Sequence, residues 1–218
     1  MKKTLSIITI GAVSLMLSAC AGLMGGGNPQ ITALANTSAR ISANFVTALD
    51  ENIASYSATM EAVGNKTEAE RIKSEAENLK DGDNEKIEGS IGVLNEVDIS
   101  ASLENAGELS AEAKGLLVDG IVHLGIAIIY DGKVAAEAIN VVKEAKDILS
   151  NLSGADAMKA GDIKAIISNA QFIADVAPDQ LTMMTNSFDA MKQYAQAHGI
   201  EVPSQEEIEA KASSLARE

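Results

Sequence analysis

From residue 29 onward, apolar side chains recur at spacings of three and four, the period of a helix viewed from one side. The first stripe runs Ile31, Leu34, Ser38, Ile41, Phe45, Leu49, Ile53, Tyr56, Met60 and Val63. Asn28 can cap this helix, Pro29 suits its first position, and Gly64-Asn65 supplies a stop. The pattern then thins. Thirteen of the 26 residues from 64 to 89 are charged, and Ala69, Ile72, Ala76 and Leu79 leave only a narrow apolar seam. This predicts a charged, exposed helix opening on a Thr67–Glu70 capping box, with Glu70–Lys73 and Glu77–Lys80 pairs on its surface.

Asp81-Gly82-Asp83-Asn84-Glu85 resembles the start of a calcium loop, but Lys86 and Gly92 stand where an EF-hand needs Gly and an acid. A turn with an Asp N-cap accounts for it better. Residues 90–108 carry short apolar clusters compatible with either a further helix or an irregular connection. Ser110 can cap the next helix, which runs to about Leu152 and is apolar nearly all round from Leu116 to Tyr130. That run is shorter than the ~20 residues of a membrane span and contains Asp119 and His123, so it reads as the central helix of a bundle. Gly115, Gly120, Gly125 and Gly132 weaken it, which makes sense where neighbouring backbones approach closely or the helix bends.

Three further helices are predicted beyond Ser153-Gly154. One carries Ile163, Ile166, Ile167, Ala170, Ile173 and Ala174 and ends before Pro178. One starts at Pro178, carries Leu181, Met184, Phe188, Met191, Ala195 and His198, and is closed by Gly199. The last is short and polar and opens on a Ser204–Glu207 capping box. The fold class is therefore all-α, a multi-helix bundle with long amphipathic helices and an apolar central helix, residues 29–218 forming one domain.

The chemistry is sparse. Asp119 and His123 are four apart and share a helix face, so they could form a polarised pair with a catalytic or ligand role; a buried hydrogen-bonded pair that fixes helix packing, or a polar stripe that simply faces solvent, accounts for them more simply. Two histidines and one cysteine cannot make a His-rich or CxxC metal site, and no nucleotide fingerprint or nucleophile elbow is present. No catalytic residue, metal or cofactor is assigned. The aromatics Phe45, Tyr56, Tyr130, Phe172, Phe188 and Tyr194 fall mostly on apolar stripes and read as core.

Residues 1–19 differ from everything after them. Met1-Lys2-Lys3 is a basic head, Leu5 to Leu17 a short apolar run, and Ser18-Ala19 a pair of small residues before Cys20. This is the layout of a secretory signal peptide. Leu17-Ser18-Ala19-Cys20 further resembles the lipobox of bacterial lipoproteins. The resemblance implies cleavage between Ala19 and Cys20, diacylglyceryl modification of the Cys20 thiol and acylation of its new amino group. Residues 20–28 then form a Gly-rich tether. Ala21 follows the cysteine where inner-membrane lipoproteins of enteric-type bacteria commonly carry Asp, so the resemblance implies the outer membrane, on its periplasmic face.

Composition sharpens this picture. Lys+Arg 17 against Asp+Glu 31 gives −14 for the whole chain. Removing residues 1–19 takes away Lys2 and Lys3, leaving 15 − 31 = −16. Such acidity argues against a nucleic-acid partner and against electrostatic attachment to anionic lipid. The expected function is a non-enzymatic, lipid-anchored envelope protein, a structural or accessory subunit of a cell-envelope complex, touching the membrane through the lipid on Cys20. An alternative is a periplasmic module holding an apolar small molecule or lipid between its small-residue-rich helices. A third, an enzyme using Asp119 and His123, is least supported.

Overall fold

The computed structural model describes residues 28–80 and 83–215, and every regular element among them is helical. Three long helices dominate: α1 (Pro29–Ala62), α6 (Ala111–Ser150) and α7 (Ala160–Ala197). At ~1.5 Å per residue each is roughly 50–60 Å long. Between α1 and α6 lie the short helices α2 (Lys66–Ser74), α3 (Ala76–Leu79), α4 (Asn84–Asn95) and α5 (Ile99–Glu104). A 3₁₀ turn (Gly154–Lys159) joins α6 to α7, and α8 (Gln205–Leu215) follows. Fold class and central helix are as the sequence predicts: α6, which has the length and composition to cross a membrane, packs between α1 and α7.

Cross-helix contacts fix the register. Arg40 pairs with Glu137 and Glu51 with His123, so α1 and α6 run antiparallel. Tyr56 shares a 2.7 Å hydrogen bond with Ser187, and Phe45 packs edge-on against Phe172, so α1 and α7 run parallel. The α2–α5 connection covers the groove between α1 and α7, tied by Ser57 Oγ to the Ala69 carbonyl, Asn84 to Asn169 and Tyr194 to the Gly107 carbonyl.

Helix ends follow local chemistry. Asn28, Asp83 and Ser110 each accept a backbone N–H as N-caps, and Ser204 and Glu207 form the reciprocal box. Gly64 and Gly199 adopt φ of 85° and 62°, the left-handed conformation that closes α1 and α7. Three expectations need correction. The charged stretch is not one helix but α2, α3 and the start of α4. Its N-cap is Asn65, which accepts from Glu68 N–H, so the Thr67–Glu70 box gives way to a cap directly after Gly64. Residues 90–108, compatible by sequence with a helix or an irregular connection, hold the second half of α4 and the whole of α5.

The third correction concerns Pro178, which lies inside α7 rather than between two helices. Its side is exposed, so the carbonyl left without a donor one turn earlier is on the solvent side, where water can satisfy it. Buried Ala177 and Gln180 hold the chain on either side. Two α6 glycines are contact points. A Cβ on Gly120 would come 2.7 Å from Thr59 Oγ1 and 3.1 Å from the Ser55 carbonyl oxygen. One on Gly125 would come 2.8 Å from Ile208 Cγ2. Gly115 and Gly132 face open space.

Candidate functional site

The sequence places Asp119 and His123 together on α6, but the imidazole turns to another helix. His123 Nδ1 lies 2.6 Å from Glu51 Oε2, and the Glu51 side chain is only 13% exposed. Asp119 is exposed and reaches the imidazole through its charge alone. The expected Asp119–His123 pair is thus a Glu51–His123 pair, because the antiparallel register sets Glu51 of α1 against this turn of α6. Burial pushes the imidazole pKa down. The Glu51 hydrogen bond and the charges of Glu51 and Asp119 outweigh that, and the net shift is upward despite opposition from Lys211. Next to Glu51, Asp50 is also raised, by burial and then by the Glu51 charge, with His123 and Lys80 opposing.

α8 lies beside this cluster. Ile208 and Ala212 are its buried residues, and they pack with Ala48, Val122, Ile126 and Tyr130. Tyr130 Oη donates to the Ala212 carbonyl at 3.1 Å. Burial and then the Glu51 charge raise the Tyr130 pKa. The arrangement can store a proton between a carboxylate and an imidazole and tie α1 to α6. Among the described residues, no three His, Cys, Asp or Glu side chains are grouped to hold a metal ion.

A second group of polar side chains, which the sequence reading missed, lies in the core itself. Asn52, Ser55 and Asp131 are fully buried and Gln180 nearly so. Both amide atoms of Asn52, Ser55 Oγ, both carboxyl oxygens of Asp131 and Gln180 Nε2 are without hydrogen-bond partners. Gly120 faces Met191, and eleven residues further along each antiparallel helix Asp131 comes level with Gln180. Burial pushes the Asp131 carboxyl up to about 7. A signal was available: Ala127, Asp131, Val134 and Ala138 keep the three-and-four spacing and are all buried.

A cleft of about 520 Å³ opens at one end of the bundle, lined by residues including Asn28, Gln30, Lys143, Asp147, Asn151 and Asp156. Its lining is largely polar, and neither Glu51, Asp119 nor His123 belongs to it. Ala19 and Cys20, the expected cleavage and lipidation residues, lie outside the described residues. Compared with family models, curated proteins and solved structures, the chain gives no match.

Proposed function

We propose that this protein is a lipid-anchored bacterial envelope lipoprotein, a non-enzymatic structural or accessory subunit of a cell-envelope complex at the periplasmic face of the outer membrane. The observation that carries this reading is Leu17-Ser18-Ala19-Cys20 after a basic head and a short apolar run. Acyl chains on Cys20 contribute ~0.8 kcal/mol per buried methylene, so two or three chains anchor stably without a spanning helix. The acidic chain needs such an anchor, since anionic headgroups repel it. An accessory role draws support from His123, whose bond to Glu51 ties two long helices together, and from the cleft, which lies apart from that pair.

Metabolic labelling with an alkyne fatty acid tests the anchor. The wild type takes up label and fractionates with membranes, and Cys20→Ser does neither. Equal labelling of the two would refute the reading. In-cell cross-linking tests the accessory role, with recovery of a defined envelope partner as the expected result.

A further inference from the structure

We infer that the bundle stands end-on at the bilayer, with the 3₁₀ turn between α6 and α7 as its contact and Met158 as the side chain that enters the lipid surface. The inference rests on the anchoring of Cys20 proposed above. Asn28 and Gln30, at the start of α1, line the same cleft as Asn151, Ser153 and Asp156. The tether therefore enters the bundle at the end that carries this turn. Asn28 lies eight positions after Cys20, a reach of at most ~29 Å extended. That is about half the length of α6.

Two large apolar side chains are exposed among the described residues, Ile139 at 59% and Met158 at 90%. Ile139 lies on the side of α6, eleven residues before its end. Met158 lies in the turn itself, at the tip. A flexible, unbranched thioether adapts to a disordered acyl boundary. Charge argues for the same orientation. A processed chain of 15 − 31 = −16 laid side-on would bring many carboxylates against anionic lipid. The turn carries one acid and one base, Asp156 and Lys159, and the adjoining cleft adds Glu144 and Asp147 against Lys143, few charges beside those along the sides. A single Met is too weak a contact to recruit a free protein. On a short tether its effective concentration is high enough to set orientation.

The test uses acylated full-length protein in phosphatidylethanolamine–phosphatidylglycerol vesicles containing nitroxide-labelled lipid. A solvent-sensitive fluorophore is placed at Met158→Cys or, as the far-end control, at exposed Gln196→Cys; the Cys20 thiol is consumed in its thioether. Flotation is scored on the same samples. The inference expects both proteins to float and the probe at 158 to be blue-shifted and quenched several-fold more than the probe at 196. Floated protein with equal quenching at both positions overturns the end-on contact and leaves the anchor standing. Protein that does not float overturns the anchor reading, and the orientation with it.

Discussion

The His123 imidazole on α6 meets the Glu51 carboxylate on α1 at 2.6 Å, across a sequence separation of 72 residues. The pair lies at the edge of the core, so its strength depends on whether the imidazole is charged. The folded-state pKa lies above the ordinary 6.5. Stability from the charged pair is therefore fully present below about pH 6.5 and is lost as the pH rises through the higher folded value. Glu51→Gln should lower the His123 pKa in an NMR titration. Its stability deficit should be larger at pH 5.5 than at pH 8.5. A deficit independent of pH would show that Glu51 acts by packing alone. Asp119→Asn, which removes only an exposed charge, should move the same titration less.

Asp131 shifts stability with pH in the same direction, but as a cost that grows rather than a gain that is lost. Its carboxyl goes from 3.8 to about 7 on folding because burial disfavours the anion and no hydrogen bond offsets it. Between those values the folded chain holds a proton that the unfolded chain has released, so stability falls as pH rises. The full loss, on the order of 4 kcal/mol, is reached only above pH 7. Asp131→Asn should flatten that slope, raising the thermal midpoint strongly at pH 8 and little at pH 4. A variant no more stable than wild type at pH 8 would mean that the carboxylate finds a partner when it ionises.

These two sites also mark what sequence could and could not convey. Caps and stops are local, and Asn28, Ser110, Gly64 and Gly199 were readable because the groups they satisfy lie within one turn. The Glu51–His123 contact was not, since it depends on which helix faces which. Pro178 misled for a different reason. A proline near the centre of a chain segment usually ends a helix, yet Ile173, Ala177, Gln180 and Met184 keep a four, three, four spacing straight through it, all buried. That spacing, and the exposed position of Pro178 on the other side, carried the truth. Gln180 masks it, because a polar residue interrupts the apolar stripe just after the proline. Buried Asn52, Ser55, Asp131 and Gln180 cost stability, and such groups can fix the register of a helical seam.

Glycine substitutions in α6 should split by what surrounds them. Gly132 is exposed with nothing near its Cβ position, so Gly132→Ala gains helix propensity of about 0.5–1 kcal/mol. At Gly120 the same gain competes with Thr59 Oγ1 at 2.7 Å and a backbone carbonyl oxygen at 3.1 Å. Overpacking costs about 1–3 kcal/mol, and a carbonyl within a long helix has little room to retreat. Gly120→Ala should therefore lower the denaturant midpoint where Gly132→Ala raises it. The same sign at both positions would contradict the close approach of α1 and α6.

α8 should come loose before the rest of the bundle. Only Ile208 and Ala212 are buried on it, and one bond, Tyr130 Oη to the Ala212 carbonyl, is seen from its seat. The Gly125 position lets Ile208 enter, since a Cβ there would lie 2.8 Å from its Cγ2. Ile208→Ala removes a side chain whose truncation typically costs ~2–5 kcal/mol. That loss falls on an element with little else to hold it, so the opening is local rather than global. Hydrogen exchange should show amides 208–215 losing protection while those of α1 and α7 keep theirs. Tyr130→Phe should shift α8 in the same direction by about 1 kcal/mol, the net worth of one hydrogen bond. Loss of protection in all helices together would mean that α8 unfolds only with the core.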